Sequence, residues 1–315
     1  MPEKKDTSRM VKKTFSVARN KDAADTYIDA LKLAGYEEMR GDVDFYLLDR
    51  GMYGYRFEKR FQLLIQKPGF IYPHSPTAYF LWDGPEKPLP AACTFVASDG
   101  AKKAMEIYSY PYRVEACGFS RCEVKEFKQT QGRNLLFVPA RPRVDGGQQR
   151  TKDLSAFKFI LNHRNSFENI TICFTHSLEE IGFSAYESLY RDMGIEFILT
   201  NPKIGKPTPE MIERIKHFDL VISCTSVSAF AVALGIPTVF YGESDILTSG
   251  NGTVAQHYSL YRDIYEFPLT LEKMSIAEVL AVRDEKNLLV ERWKRLNIGE
   301  NFDAQKFLSI VAEYV

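Results

Sequence analysis

Short apolar runs with strand character alternate with helix-length amphipathic segments along nearly the whole chain, and they do so in two successive series. In the first, strands are expected at 13–18 (KTFSVA), 44–49 (DFYLLD), 61–66 (FQLLIQ) and 92–97 (ACTFVA), with GFIYP at 69–73 a further short run. A helix is expected at 21–35, where Ala24, Tyr27, Ile28, Leu31 and Ala34 share one face and Gly35 ends it. Another is expected at 99–110, with Asp99 placed to cap it. The polar segment KEFKQTQGR (125–133) interrupts the pattern and reads as a linker. In the second series, strands at 134–140, 169–175, 195–200, 220–224 and 237–242 alternate with helices near 152–164, 179–193, 208–217 and from 225 onward. Helical stretches at 272–297 and 302–314 close the chain. Strand–helix alternation requires crossover connections, and these build parallel sheets covered on both faces. The expectation is an α/β protein of two Rossmann-like domains facing each other across a cleft.

Composition narrows the class of function. Lysine plus arginine total 41, as do aspartate plus glutamate, so no net field draws the chain to nucleic acid or anionic membrane, although a local basic groove remains compatible. Five cysteines (Cys93, Cys117, Cys122, Cys173, Cys224) form no C-x-x-C spacing, which argues against structural zinc or a disulfide framework and fits a reducing cytoplasm. No run approaches the ~18 apolar residues that span a bilayer. Residues 1–12 are charged and lack the apolar core of a secretory signal. They read as a disordered arm, or as added sequence ahead of a native start at Met10.

Open parallel sheets bind ligands beyond the carboxyl ends of their strands. The stretch TSVSAFAVALGIPTVFYGE (225–243) follows such a strand and sets Thr225, Ser226 and Ser228 at the opening of an apolar helix. A helix N-terminus carries about half a positive charge and up to four unpaired amide donors, so it suits a diphosphate. Ser226 as an ordinary cap is the plain alternative. Neither G-x-G-x-x-G nor G-K-[ST] occurs, so the dinucleotide fingerprint and the P-loop are excluded. His176 follows another strand of the same series and His74 follows one in the first. Each imidazole can hydrogen-bond a phosphate or move a proton, and each can equally be structural. Arg121, Arg141 and Arg143 flank the linker, and their guanidinium forks suit phosphate oxygens. Asp49, Asp83 and Glu243 stand at strand ends or turns, where carboxylates are common.

Taken in order, these pieces resemble the GT-B glycosyltransferase fold, nearest the branch of CDP-glycerol glycerophosphotransferases and capsule and wall polymerases. UDP-N-acetylglucosamine 2-epimerases resemble it more distantly. His74-Ser75 matches a His-Gly of that branch, and the segment ending CGFSR matches its Gly-x-Pro-Arg, with Ser120 replacing proline. LLFVPARPR corresponds to a strand ending in Pro-Thr-x-Arg, and His176-Ser177 to His-Pro. DLVISCTSVSAF resembles Asp-x-x-Ile-x-Asp-Tyr-Ser-Ser, departing at Cys224, Thr225 and Val227.

The resemblance implies a metal-independent transferase with no required cofactor, using a UDP- or CDP-linked nucleotide-diphosphate donor. The donor would lie on Thr225, Ser226 and Ser228, with His176, Arg141, Arg121 and Glu243 around it. His74 would be the general base toward a hydroxyl acceptor, with Asp49 in reserve. The implied division is an acceptor domain at 13–128, a donor domain at 129–300, and a helix at 301–315 crossing back to the first. Acceptors left open are a saccharide, a polyol phosphate or a hydroxymethylated DNA base, the last because YGYRFEKRF (53–61) interleaves basic and aromatic residues. A basic amphipathic membrane helix is not evident, so no stable membrane insertion is expected. Two other functions remain open: a UDP-sugar 2-epimerase-like enzyme, and a non-catalytic nucleotide-sugar-binding module.

Overall fold

The computed structural model describes residues 12–18, 21–49, 64, 66–73, 90–107, 110–139, 148–174, 195–199, 209–224, 226–242 and 267–315. Among the described residues, eleven strands form two all-parallel sheets. The first contains β1 (Thr14–Ala18), β2 (Glu37–Glu38), β3 (Phe45–Asp49), β4 (Gly69–Tyr72), β5 (Cys93–Val96) and β6 (Val114–Ala116), in the order β2-β1-β3-β4-β5-β6. The second contains β7 (Asn134–Val138), β8 (Asn169–Phe174), β9 (Glu196–Leu199), β10 (Leu220–Ser223) and β11 (Thr238–Phe240), in the order β11-β10-β7-β8-β9. Every residue of β4, β5, β10 and β11 is buried. That is why their sequences are continuous apolar runs rather than alternations.

The helices follow from the same sequence logic. Helix α1 (Lys21–Leu33) buries Ala24, Tyr27, Ile28 and Leu31, a spacing that lines one face. It closes on Gly35 (φ +89°), with Tyr36 N–H donating to Leu31 O and Gly35 N–H to Lys32 O. This turn carries Ala34 out to solvent, so Ala34 does not belong to the buried face expected for it. Helix α2 (Asp99–Ile107) is capped not by Asp99 but by the residue before it: Ser98 Oγ accepts from Ala101 N–H at 3.0 Å. Helices α3 (Gln148–Asn162), α4 (Pro209–Ile215) and α5 (Ser226–Ala233) belong to the second series.

The stretch expected as one helix at 272–297 is three pieces: a 3-10 turn at Leu271–Lys273, α6 (Ile276–Ala281) and α7 (Leu288–Asn297). Ser275, in a capping box with Glu278, and Asn287 each start a new helix and so break the run. The expected strand at 61–66 is also corrected, since Leu64 and Gln66 are helical. Leu64 packs with Leu48, Ile71 and Ala91 on a face of the first sheet, and Gly69 leaves it room by lacking a side chain. The expected helix at 179–193 and the basic-aromatic stretch at 53–61 lie outside the described residues.

Two passages of chain join the sheets and run side by side. Phe119 N–H donates to Glu300 O and Asp303 N–H to Cys117 O, both at 2.8 Å, and Val124 N–H donates to Asn301 Oδ1 at 2.6 Å. Gly118 (φ +82°) meets the backbone of Asn301 where a side chain would not fit. Residues 125–133 then lie against the second sheet's helices: Lys125 N–H donates to Ala233 O, Lys128 N–H to Gly235 O and Thr130 N–H to Arg283 O. After the return passage, α8 (Ala304–Ala312) buries Phe307, Ile310 and Val311 in the core that contains α1 and the first sheet. Its Phe307 ring lies 5.0 Å from Phe95 and 5.2 Å from Tyr27. Glu115 of β6 adds an ionic clamp, with Lys102 and Arg113 each at 3.1 Å, and Arg113 also pairs with Glu313 just beyond α8. Partial burial opposes ionisation of Glu115, but the two cations win and hold its carboxyl below the usual range.

The glycines give a paired prediction. Gly35 and Gly235 (φ +74°) have the same left-handed backbone, but a Cβ meets nothing at Gly35 and would collide with Glu126 O at Gly235. Urea denaturation should show Gly35→Ala costing about 1–2 kcal/mol, and Gly235→Ala a further ~1–3 kcal/mol. Equal costs would mean that 125–133 does not press on that turn.

Candidate functional site at the carboxyl edge of the second sheet

Because all five strands run parallel, β7, β10 and β11 deliver Val138, Ser223 and Phe240 to one edge, side by side. The chain leaves β10 through Cys224 and enters α5 at Ser226. From Val227 to Ala233 every side chain of α5 is buried. Such burial explains the apolar composition: the helix is wedged between the sheet, Trp293 of α7 and Phe119 of the outward passage. The amides that open a helix have no partner within it, so an enclosed helix start must be satisfied from outside the helix. Ser226 and Ser228 are the small residues of that turn.

Arg121 reaches this helix from the outward passage. Its guanidinium stands 5.5 Å from the centre of the Phe230 ring, in the second turn of α5. A residue numbered with the first series is thereby held on the second. Ser228 is buried within the first turn. Ser226 is the first residue of α5 and Asp49 the last of β3. His74, Arg141, His176, Thr225 and Glu243 lie outside the described residues. The nearest described strands end at Tyr72 (β4), Val138 (β7), Phe174 (β8), Ser223 (β10) and Phe240 (β11).

One feature of this edge was missed from sequence. Tyr241, directly after β11, donates its hydroxyl to Asp153 Oδ1 at 2.5 Å, and the same oxygen lies 3.5 Å from Val138 O at the end of β7. Tyr241 is fully buried, Asp153 and Cys224 nearly so. Burial above all, then Cys224 and Asp153 beside it, holds the phenol protonated well above its usual range. The bond ties the start of α3 to the ends of two strands, beneath the edge where a ligand would rest. The signal was present: Asp153, Ala156, Phe157 and Ile160 form one buried stripe, so a carboxylate heads an apolar face.

Other groups are structural. Asp42 and Asp44 form an Asp-x-Asp, but they precede β3, at the opposite edge from its carboxyl end. Asp44 accepts from Thr14 N–H at 2.6 Å, and Asp42 pairs with Lys67 at 3.3 Å. Among the described residues no cluster of three His, Cys, Asp or Glu side chains could hold a metal ion, and no helix is long and apolar enough to cross a membrane. Burial pushes the Cys122 thiol up to about 12, which makes it a poor nucleophile at neutral pH.

No protein-family model and no curated protein matches the sequence. Solved structures do. The Methanocaldococcus jannaschii UDP-GlcNAc 2-epimerase, solved in complex with UDP-GlcNAc and UDP, is similar over 96% of this chain and 99% of its own, with a TM-score of 0.52 at 12% identity. The fold is of the GT-B type. It consists of two Rossmann-like parallel-sheet domains facing a cleft. TarM (TM-score 0.46, 12% identity) and the GtfA/B complex (0.41, 10%) are similar over 94% of this chain, but over only 58% and 60% of their own. The chain thus spans little more than half the length of those two proteins.

Removing the Tyr241 hydroxyl tests the buried cluster. Tyr241→Phe takes from Asp153 a donor it cannot replace with bulk water, and denaturant unfolding at pH 7 should show a loss of about 1–3 kcal/mol. The folded phenol's raised pKa means the unfolded chain alone ionises as pH rises through about 10. Wild-type stability should therefore fall there, and the Tyr241→Phe variant should lose less over the same interval. A variant that matched wild type at pH 7 and above would remove the cluster from the account.

Proposed function

We propose that the protein transfers a sugar or polyol-phosphate group from a nucleotide-diphosphate donor to a hydroxyl acceptor. The observation that carries this reading is α5, which starts at the carboxyl edge of the second sheet and is buried from Val227 onward, with Arg121 held against Phe230 in its second turn from the other passage of chain. Supporting it, the fold is shared end to end with an epimerase whose structure contains UDP-GlcNAc and UDP.

In this reading the donor's diphosphate sits on the amides that open α5, with Thr225, Ser226 and Ser228 as the small residues of that turn. His176, Arg141, Arg121 and Glu243 surround the donor, which is UDP- or CDP-linked. As the bond to the nucleotide breaks, negative charge grows on the diphosphate, where preorganised amides and guanidinium groups stabilise it without reorganising. His74 takes the proton from the attacking hydroxyl, with Asp49 in reserve. Residues 13–128 carry the acceptor, residues 129–300 the donor, and 301–315 fasten the second part to the first. The nearest kin in this reading are the CDP-glycerol glycerophosphotransferases and wall polymerases, and the setting is cytoplasmic. A saccharide, polyol phosphate or hydroxymethylated DNA base is the acceptor.

A second reading, a UDP-sugar 2-epimerase, is favoured by the end-to-end likeness to such an enzyme. The two differ in whether turnover needs an acceptor. Isothermal titration calorimetry with the donor diphosphate should show Ser226→Ala and His176→Ala each weakening binding by about tenfold, the loss of one charge-assisted contact. His74→Ala should retain donor binding while product formation, followed by NMR, disappears. Loss of donor binding in His74→Ala would reverse the assignment of sides. Conversion of a UDP-sugar with no acceptor present would select the epimerase.

A further inference from the structure

A groove of about 570 Å³ opens between α6 and the first half of α7, where Phe267 and Trp293 pack on Phe240 at the end of β11. Phe267, Met274 and Trp293 line it, and none of the groups placed in the donor site does. Among the described residues, five large apolar side chains stand exposed: Leu33, Met39, Leu288, Leu289 and Tyr314. Two of them, Leu288 (80%) and Leu289 (58%), are consecutive at the start of α7, and Leu289 is itself part of the groove wall. An apolar knob and a groove lined by both apolar and charged side chains therefore adjoin on one surface.

Charge divides the groove in a way that selects an occupant. The side built by α6 and the turns before and after it carries Lys273, Glu278 and Glu285, so it is of mixed sign with an acidic excess, whereas the α7 side carries Arg292. A partner of one charge sign would meet repulsion from one wall. A surface that carries the same pattern reversed meets none, and a two-fold axis supplies that surface from the protein itself, because it sets each element of one copy opposite the other's. Lysine plus arginine balance aspartate plus glutamate at 41 each, so no net repulsion opposes the approach of two copies.

We propose that this groove docks a second copy of the same chain, α7 against α7 about a two-fold axis. Leu288 and Leu289 of each copy enter the groove of the other, and Arg292 of each faces Glu285 of its partner. None of the residues placed in the donor site lines the groove, so the proposal stands whether or not the transferase reading does.

Sedimentation velocity on the full chain tests it without any substrate. Between about 1 and 100 µM, the micromolar range of a modest interface, the mass should rise from that of a 36.1 kDa monomer toward twice that value. Leu289→Glu should hold the protein monomeric throughout, with its circular dichroism unchanged, because the side chain is exposed. Arg292→Glu and Glu285→Arg should each weaken the dimer about tenfold or more, and the double substitution should recover most of the loss, since the charges then pair in exchanged positions. A wild-type protein that stays monomeric would overturn the proposal and leave the groove to a different partner. A dimer indifferent to Leu289→Glu would overturn it as well. So would a double substitution no better than the single ones.

Discussion

The backbone pairing of the two passages that join the sheets is the constraint on which the rest depends. At Phe119 and Glu300, at Cys117 and Asp303, and through Asn301, the outward and return passages are hydrogen-bonded to each other. Neither sheet can therefore shift without the other passage feeling it. Gly118 allows the approach, and α8 completes it by filling the first sheet's aromatic core from the far end of the sequence. The polar segment between the series adds to this. It is bound at Lys125, Lys128 and Thr130 to α5, to the turn after it and to the turn after α6, so it behaves as part of the second sheet's cover rather than as free chain.

That arrangement places the candidate site where the chain crosses. Arg121 belongs to the outward passage, and its place over Phe230 follows from the pairing that fixes the passage. Helix α5 is almost wholly buried, so its first turn is presented by its neighbours and has little freedom of its own. Below it, the Tyr241–Asp153 bond secures α3 to β11. A ligand bound at this edge would meet Arg121 held in position before it arrives, and such preorganisation is what makes electrostatic stabilisation effective.

Much of the architecture was legible. Parallel strands such as LVIS and CTFV announce themselves because both faces are buried and no polar alternation interrupts them. The same rule failed at 61–66, where a short apolar run is helical and lends Leu64 to a sheet face. Short runs do not distinguish these outcomes. Edge strands β2 and β6 were invisible because Glu37–Glu38 and Val114–Ala116 are short and only partly buried. At the site, strand ends pointed to α5, but the contact between Tyr241 and Asp153 spans 88 residues and no local pattern records it.

The central claim is that the carboxyl edge of the second sheet binds a nucleoside diphosphate. A thermal-shift series with UDP, CDP, GDP and ADP, each beside its monophosphate, addresses it most directly, because a ligand that binds only the folded state raises the melting temperature. The account predicts that one diphosphate stabilises the wild-type protein selectively over its monophosphate, and that Ser226→Ala shows a smaller shift at the same ligand concentration. No shift with any diphosphate, or an equal shift in Ser226→Ala, would contradict it.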